Sequence, residues 1–315
     1  MRVLPLSAGA RSIGALVAEV CPSQPLGVHR VAELRRKLQQ HGVLVFRRDE
    51  AAAAAATAVG ASRPRPLLSC KHPAGVAVAA DSPLSLSEDA MVAFFSHFGE
   101  ALPQQGREEA RGSRCEIFTV TNMLPGAPSS SPFLSDAELE WHSDLSYRRE
   151  PGEFSCLHAK ILPGDGGGSG GGSVTLFADT AAAYRELPPS MTARLAGAKA
   201  VHRHPEAHMN PEGEVLMPVV RTHPETGQRC IFVSPMFTRQ IVGMSEEESK
   251  TTLQYLFEHM AQEQFVYRHE WLVGDTVLWD NRQTMHRRLP FTGNRLLWRT
   301  QSRQALRNAD DADSC

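Results

Sequence analysis

The stretch Trp141-His142-Ser143-Asp144 places a histidine and an aspartate two residues apart. In an extended strand, residues i and i+2 point to the same face, so the side chains of His142 and Asp144 can reach one metal ion. Such a pair is weak evidence alone, because a chain with 13 histidines contains similar pairs by chance. A metal site here therefore depends on a third ligand elsewhere in the chain.

His286 is the best candidate for that third ligand, since it closely follows the strand-like segment 274–281. Two histidines and one carboxylate form the facial triad of non-haem Fe(II) oxygenases. The triad leaves coordination positions open for a chelating co-substrate and for dioxygen. We therefore expect His142, Asp144 and His286 to bind Fe(II).

Arg295 and Arg299 follow His286 and would share one face of a strand, about 13 Å apart at about 3.3 Å per residue. A guanidinium binds both oxygens of a carboxylate at once, so either arginine suits an anionic ligand. Thr175 offers a hydroxyl on another predicted strand and could bond the same carboxylate. The alternative is that both arginines lie at a solvated edge of a sheet.

The composition of the chain argues against several classes of protein. The net charge of -2 over 315 residues argues against a nucleic-acid binder. No apolar run is long enough to span a bilayer, and residues 1–10 do not resemble a secretory signal. The six cysteines are scattered without a C-x-x-C pair, which indicates reduced thiols rather than disulfides. We expect a cytoplasmic protein that binds neither nucleic acid nor membrane.

The periodicity predicts many short strands and few helices, which is typical of a β-sandwich or barrel. One helix is expected around Met91 and Phe98 with Ser85 or Ser87 as its cap, and another begins at the capping box Ser245–Glu248. Low-complexity insertions are predicted at about 50–80 and 164–172. We expect a single domain over 1–307 and a disordered tail over 308–315.

Several motifs together resemble the taurine dioxygenase / 2,4-dichlorophenoxyacetate dioxygenase family of Fe(II)- and 2-oxoglutarate-dependent enzymes. They are Trp141-His142-Ser143-Asp144-Leu145-Ser146-Tyr147, Thr175-Leu176-Phe177-Ala178-Asp179, Phe265-Val-Tyr-Arg-His269, and Trp279-Asp280-Asn281-Arg282 through His286 to Arg295-Leu-Leu-Trp-Arg299. The resemblance runs from about Val3 to Gln304. Where the family usually has Gly-Gly before the threonine, this chain has Ser173 and Val174.

The resemblance implies a mainly β fold with flanking helices, a double-stranded β-helix (a jelly roll, cupin-like). It implies His142, Asp144 and His286 as catalytic iron ligands, and Thr175 and Arg295 on the distal carboxylate of 2-oxoglutarate. Arg299 would lie between the co-substrate and an anionic group of the substrate, with Asn122 and the backbone amide of Leu145 nearby.

The activity implied is hydroxylation of a small, anionic organic substrate with O2, releasing succinate and CO2. Two alternatives remain open at this stage: a non-catalytic sensor that binds metal and 2-oxoglutarate, and a zinc hydrolase. Homo-oligomer formation is also open. Three tryptophans beside the proposed ligands, Trp141, Trp279 and Trp298, are expected to wall the site, whereas His202 and His204 are interpreted as ordinary strand or turn histidines.

Overall fold

Two β-sheets lie face to face in the computed structural model, which describes residues 1–6, 13–47, 86–103, 113–124, 135–163 and 173–304. Within these ranges the strands are β1 (Arg2–Pro5), β2 (Ala15–Ala18), β3 (Val43–Phe46), β4 (Phe118–Thr121), β5 (Leu139–His142), β6 (Gly152–Ile161), β7 (Val174–Asp179), β8 (Lys199–His202), β9 (Val215–Pro218), β10 (Val220–Thr222), β11 (Arg229–Ile231), β12 (Thr238–Ile241), β13 (Val266–Glu270), β14 (Thr276–Asp280), β15 (Thr284–Arg288) and β16 (Leu296–Arg303). The predicted insertions at about 50–80 and 164–172 and the tail at 308–315 lie outside the described residues.

The major sheet has seven strands in the order β1-β2-β3-β14-β6-β16-β4, and the minor sheet has four in the order β13-β7-β15-β5. Every pairing within these two sheets is antiparallel except that of β2 with β3, which is parallel. Two smaller sheets, β12-β8-β9 and β10-β11, complete the strand arrangement of the described ranges. The fold is a mainly β jelly roll, as predicted.

Apolar side chains fill the space between the two main sheets. Val277, Trp279 and Leu297 come from the major sheet, while Phe177 and Tyr267 come from the minor sheet. Because side chains alternate along a strand, neighbours of these residues face away and pack against helices. The metal-binding candidates belong to the inward-facing set.

Helices cover the outer faces of the sheets. α1 (Val28–His41) and α2 (Glu88–Phe95) pack on the major sheet, through side chains such as Leu34 and Phe94. α3 (Thr180–Arg185) and α5 (Glu246–Met260) pack on the minor sheet, and α4 (Pro189–Leu195) lies between them in the chain.

The predicted helix starts are confirmed. The Ser87 hydroxyl accepts a hydrogen bond from the Ala90 amide at the start of α2, and Ser245 and Glu248 form both bonds of a capping box at the start of α5. No helix among the described residues is both long and apolar enough to cross a membrane.

Candidate metal centre

The three predicted ligands converge at one end of the space between the sheets. His142 ends β5 and lies opposite His286 in the β5–β15 pairing. The Oδ1 atom of Asp144 lies 3.8 Å from Nε2 of His142 and 3.9 Å from Nε2 of His286. The ligand atoms of all three residues lie within 4.8 Å of one another, and all three residues are buried. Residues that are up to 144 positions apart in the chain thus face one point.

The turn after β5 brings Asp144 to this point. Leu145 adopts a left-handed conformation (φ 55°), which bends the chain immediately after Asp144. The Gly152 amide then donates to the Asp144 carbonyl at 2.9 Å. A Cβ atom on Gly152 would lie only 2.6 Å from that carbonyl oxygen, so glycine is required for this close approach.

Hydrogen bonds orient the ligands. Nδ1 of His142 donates to the Glu140 carbonyl at 2.7 Å, because a carbonyl can only accept. The neutral ring therefore presents the lone pair of Nε2 to the metal position. Oδ2 of Asp144 accepts from the Ser155 hydroxyl at 2.6 Å, and Asn281 donates to that hydroxyl at 2.9 Å. Sequence reasoning missed Ser155 and Asn281, because neither belongs to a ligand spacing.

The electrostatics of the site suit a divalent cation. Burial, together with the neighbouring His142, lowers the pKa of His286 to about 3, and burial also lowers the pKa of His142. Burial alone would raise the pKa of Asp144, but the nearby imidazoles and Arg299 hold it below its usual value. Neutral imidazoles and an ionised carboxylate are the forms that bind metal ions, so these residues fit Fe(II).

Arg295 and Thr175 lie between the sheets, not at a solvated edge. Arg295 is 2% exposed, and burial lowers its pKa well below the usual value. Its Nε donates to the Ser173 hydroxyl at 2.7 Å, so the residue that departs from the family pattern orients this arginine. The Thr175 hydroxyl accepts from Nε1 of Trp271 at 2.9 Å, which leaves its own proton available to a ligand.

The three residues predicted to bind substrate lie in different environments. The Nε of Arg299 is buried, and its positive charge acts on Asp144. The side-chain amide of Asn122 bridges the loop before β16, donating to the Gly293 carbonyl at 2.9 Å and accepting from the Arg295 amide at 3.0 Å. Leu145 directly follows Asp144. Substrate contact by these three residues stays a prediction.

Aromatic residues line the site next to His142. The Phe237 ring lies 5.7 Å from His142, 4.8 Å from Tyr147 and 5.4 Å from His204, measured between centroids. His204 therefore belongs to the surroundings of the metal centre, which its turn-like sequence context did not indicate. Its Nδ1 accepts from the Glu206 amide at 3.0 Å, so in the neutral ring Nε2 carries the proton.

The interpretation of the tryptophans was correct for one residue and wrong for two. Trp279 lies 4.9 Å from the His286 ring. Trp141 instead packs in the core outside the minor sheet, and Trp298 packs in the core outside the major sheet. Each is the direct neighbour of an inward-facing residue, His142 or Arg299, and alternation along the strand turns it to the opposite face.

Comparison with known proteins agrees with this geometry. Residues 67–301 match the model of the "Taurine catabolism dioxygenase TauD, TfdA family". The alpha-ketoglutarate-dependent 2,4-dichlorophenoxyacetate dioxygenase of Cupriavidus pinatubonensis is 32% identical over 225 residues, which cover 64% of this chain and 75% of that protein. Pentalenolactone F synthase of Streptomyces avermitilis is 28% identical over 313 residues, covering 91% of this chain and 89% of that protein. The crystal structure of a taurine dioxygenase from Burkholderia xenovorans superposes with a TM-score of 0.71 at 27% identity, covering 97% of this chain and 90% of that one.

Proposed function

Because the chain belongs to the TauD/TfdA family and is thus an Fe(II)- and 2-oxoglutarate-dependent dioxygenase, we propose that it hydroxylates a small, anionic organic substrate at an iron held by His142, Asp144 and His286. Succinate and CO2 are the other products. The observation that supports this most strongly is the convergence of three buried ligands on one point. The comparisons give no support to a zinc hydrolase or to a non-catalytic sensor.

Each part of the site has a role in this proposal. Bound Fe(II) supplies the oxidising chemistry, using dioxygen and 2-oxoglutarate. Arg295 and Thr175 bind the distal carboxylate of 2-oxoglutarate and fix its orientation toward the metal. Trp279 and Phe177 pack against His286 and keep water from that side of the site.

The buried charges favour an anionic substrate. Arg288 and Arg295 are buried between the sheets, and the buried Nε of Arg299 lies on the same side. The positive charges of the three arginines and of a bound Fe(II) would exceed the negative charges of Asp144, of a dianionic 2-oxoglutarate and of Asp136, which acts on Arg288. A further negative charge on the substrate would reduce this excess, and Arg299 is the residue best placed to receive it because its charge already acts on Asp144.

The metal assignment is tested by removing each ligand in turn. His142→Ala, Asp144→Ala and His286→Ala should each lower Fe(II) affinity more than about 100-fold, because even residues that only support a ligand contribute 10–100-fold. Succinate release from 2-oxoglutarate should fall to background. The control is His208→Ala, which alters an exposed histidine. An Asp144→Ala enzyme that turns over 2-oxoglutarate normally would show the assignment to be wrong.

The substrate is tested separately with a succinate-release screen. Suitable candidates are 2,4-dichlorophenoxyacetate and taurine, after the names of relatives, each compared with an uncharged derivative such as the methyl ester of the former. We expect acids to stimulate succinate release more than their neutral derivatives. Equal stimulation by an acid and its ester would contradict the anionic preference without affecting the metal assignment.

A further inference from the structure

Arg288 is a buried arginine beside the proposed 2-oxoglutarate site. It is the last residue of β15, two positions after His286, and is 4% exposed. Two positions along a strand return to the same face, so Arg288 faces the space between the sheets as His286 does. Arg287, between them, faces outward and forms an ion pair with Glu138.

Strand register places Arg288 directly opposite Thr175. The Leu289 amide donates to the Val174 carbonyl, so the flanking pair is hydrogen-bonded. In an antiparallel ladder, hydrogen-bonded pairs alternate with non-hydrogen-bonded pairs. Arg288 and Thr175 therefore form a non-hydrogen-bonded pair, whose Cα atoms lie about 4.5 Å apart and whose side chains lie close together. Thr175 is the hydroxyl proposed to bind the distal carboxylate of 2-oxoglutarate.

Arg288 also lies on the same aromatic ring as Arg295. The guanidinium carbons of Arg288 and Arg295 lie 5.3 Å and 5.4 Å from the centroid of Phe291. A hydrogen bond of 2.5 Å from Nη2 of Arg288 to the Ala137 carbonyl fixes the guanidinium in place. The two like charges act on each other, and the carboxylate of Asp136 acts on Arg288. Asp136 offsets one of these charges, which leaves one buried positive charge for a bound anion.

We propose that Arg288 is a second arginine for the distal carboxylate of 2-oxoglutarate, acting beside Arg295 and Thr175. A carboxylate accepts about four hydrogen bonds. The Nε of Arg295 is already bonded to Ser173, so that arginine can offer only its terminal nitrogens, and the Thr175 hydroxyl adds one donor. A second guanidinium completes the set and balances the charge. This inference rests on the proposed function.

The test compares two oxo acids that chelate iron identically but differ at the distal end. Their affinities for the Fe(II)-loaded enzyme are measured without oxygen, from the visible absorption of the iron–oxo acid chelate. Arg288→Gln should weaken 2-oxoglutarate binding about 30-fold or more, as expected for removing one partner of a buried charge pair. Binding of 2-oxobutanoate, which lacks the distal carboxylate, should change less than about twofold, because that ligand makes no ion pair for the substitution to remove.

Two further variants complete the design. Arg287→Gln, one residue away on the outer face, should leave both affinities unchanged. Arg288→Lys keeps the charge without the planar fork and should give an intermediate loss for 2-oxoglutarate alone; it also serves if the glutamine variant does not fold.

The outcomes separate the two proposals. If the variants weaken both oxo acids equally, or neither, then Arg288 has only a structural role and this inference is overturned, while the proposed function stands. If the wild-type enzyme loaded with Fe(II) binds no 2-oxoglutarate, the proposed function fails and this inference fails with it.

Discussion

Asp144 shows how a proposed metal ligand is held in place. Its Oδ2 accepts from Ser155, whose hydroxyl oxygen in turn accepts from Asn281. The Asn281 side-chain oxygen accepts from the Asp144 amide at 3.2 Å and from Nε1 of Trp279 at 2.9 Å. This closed network fixes the carboxylate so that Oδ1 is directed at the two histidines, and it leaves Oδ2 already satisfied.

Removing the hydroxyl of Ser155 should loosen that carboxylate. We expect Ser155→Ala to lower Fe(II) affinity about 10- to 100-fold, as is typical when a group that supports a metal ligand is lost. Titration of the metal-free enzyme with Fe(II) under nitrogen measures this. Ser302→Ala, which removes a hydroxyl that accepts from the Phe154 amide, is the control. Equal Fe(II) affinities in the wild type and Ser155→Ala would show that the network does not position the ligand.

At this scale the sequence predicted the proposed metal ligands but not the residues that support them. His142, Asp144 and His286 could be found because strand periodicity and motif order constrain them. Ser155, Arg288 and the aromatic neighbour His204 could not, because their roles come from strand pairing and loop contacts between distant parts of the chain. Such contacts leave no fixed spacing in the sequence.

At the scale of elements, helix starts and strand positions were predictable from local chemistry. Ser87 and Ser245 cap helices because their hydroxyls bond amides within the next turn, which depends on only four residues of sequence. The closeness of Trp141 and Trp298 to the proposed ligands in the sequence did not predict that their side chains lie on the outer faces of the sheets. The alternation that directs His142 inward necessarily directs its neighbour outward.

The close contact between the turn after β5 and the start of β6 should be needed to position Asp144. Gly152→Ala places a Cβ atom against the Asp144 carbonyl, so the turn or the strand must shift and move the carboxylate away from the histidines. We expect at least about a tenfold loss of Fe(II) affinity, comparable to loss of a supporting group. Gly27→Ala is the matched control, since a Cβ atom there meets nothing within 4 Å. Unchanged metal binding in Gly152→Ala would mean that the close approach is not needed.

At the scale of the whole molecule, a buried ionic cluster joins distant parts of the fold. Asp280, at the end of β14, accepts from Arg282 through both carboxylate oxygens and from Nε2 of His223 at 3.0 Å. Arg282 extends to Glu153 on β6 and to Glu225 in the β10–β11 turn. The cluster therefore ties the major sheet to the small β10–β11 sheet.

Because of this cluster, the free energy of unfolding should depend on pH in the acid range. Burial alone would raise the pKa of Asp280, but bonds from Arg282 and His223 lower it to about 2, against 3.8 in the unfolded chain. The folded state therefore binds fewer protons than the unfolded state between these values. The resulting stability, on the order of 2 kcal/mol, is present above about pH 4 and is lost as the pH falls toward 2.

Urea denaturation of the wild type and Asp280→Asn at several pH values tests this directly. The variant should unfold about 3 kcal/mol more easily at pH 7, because it leaves Arg282 buried without its nearest carboxylate. That difference should shrink as the pH falls from about 4 toward 2, because the unfolded wild type takes up a proton on Asp280 in this range while the folded carboxylate stays ionised until about pH 2. Glu214→Gln, which alters an exposed pair with Arg203, should show almost no difference at any pH. A difference between wild type and Asp280→Asn that stays constant from pH 4 to pH 2 would mean that the ionised carboxylate is not what holds these sheets together.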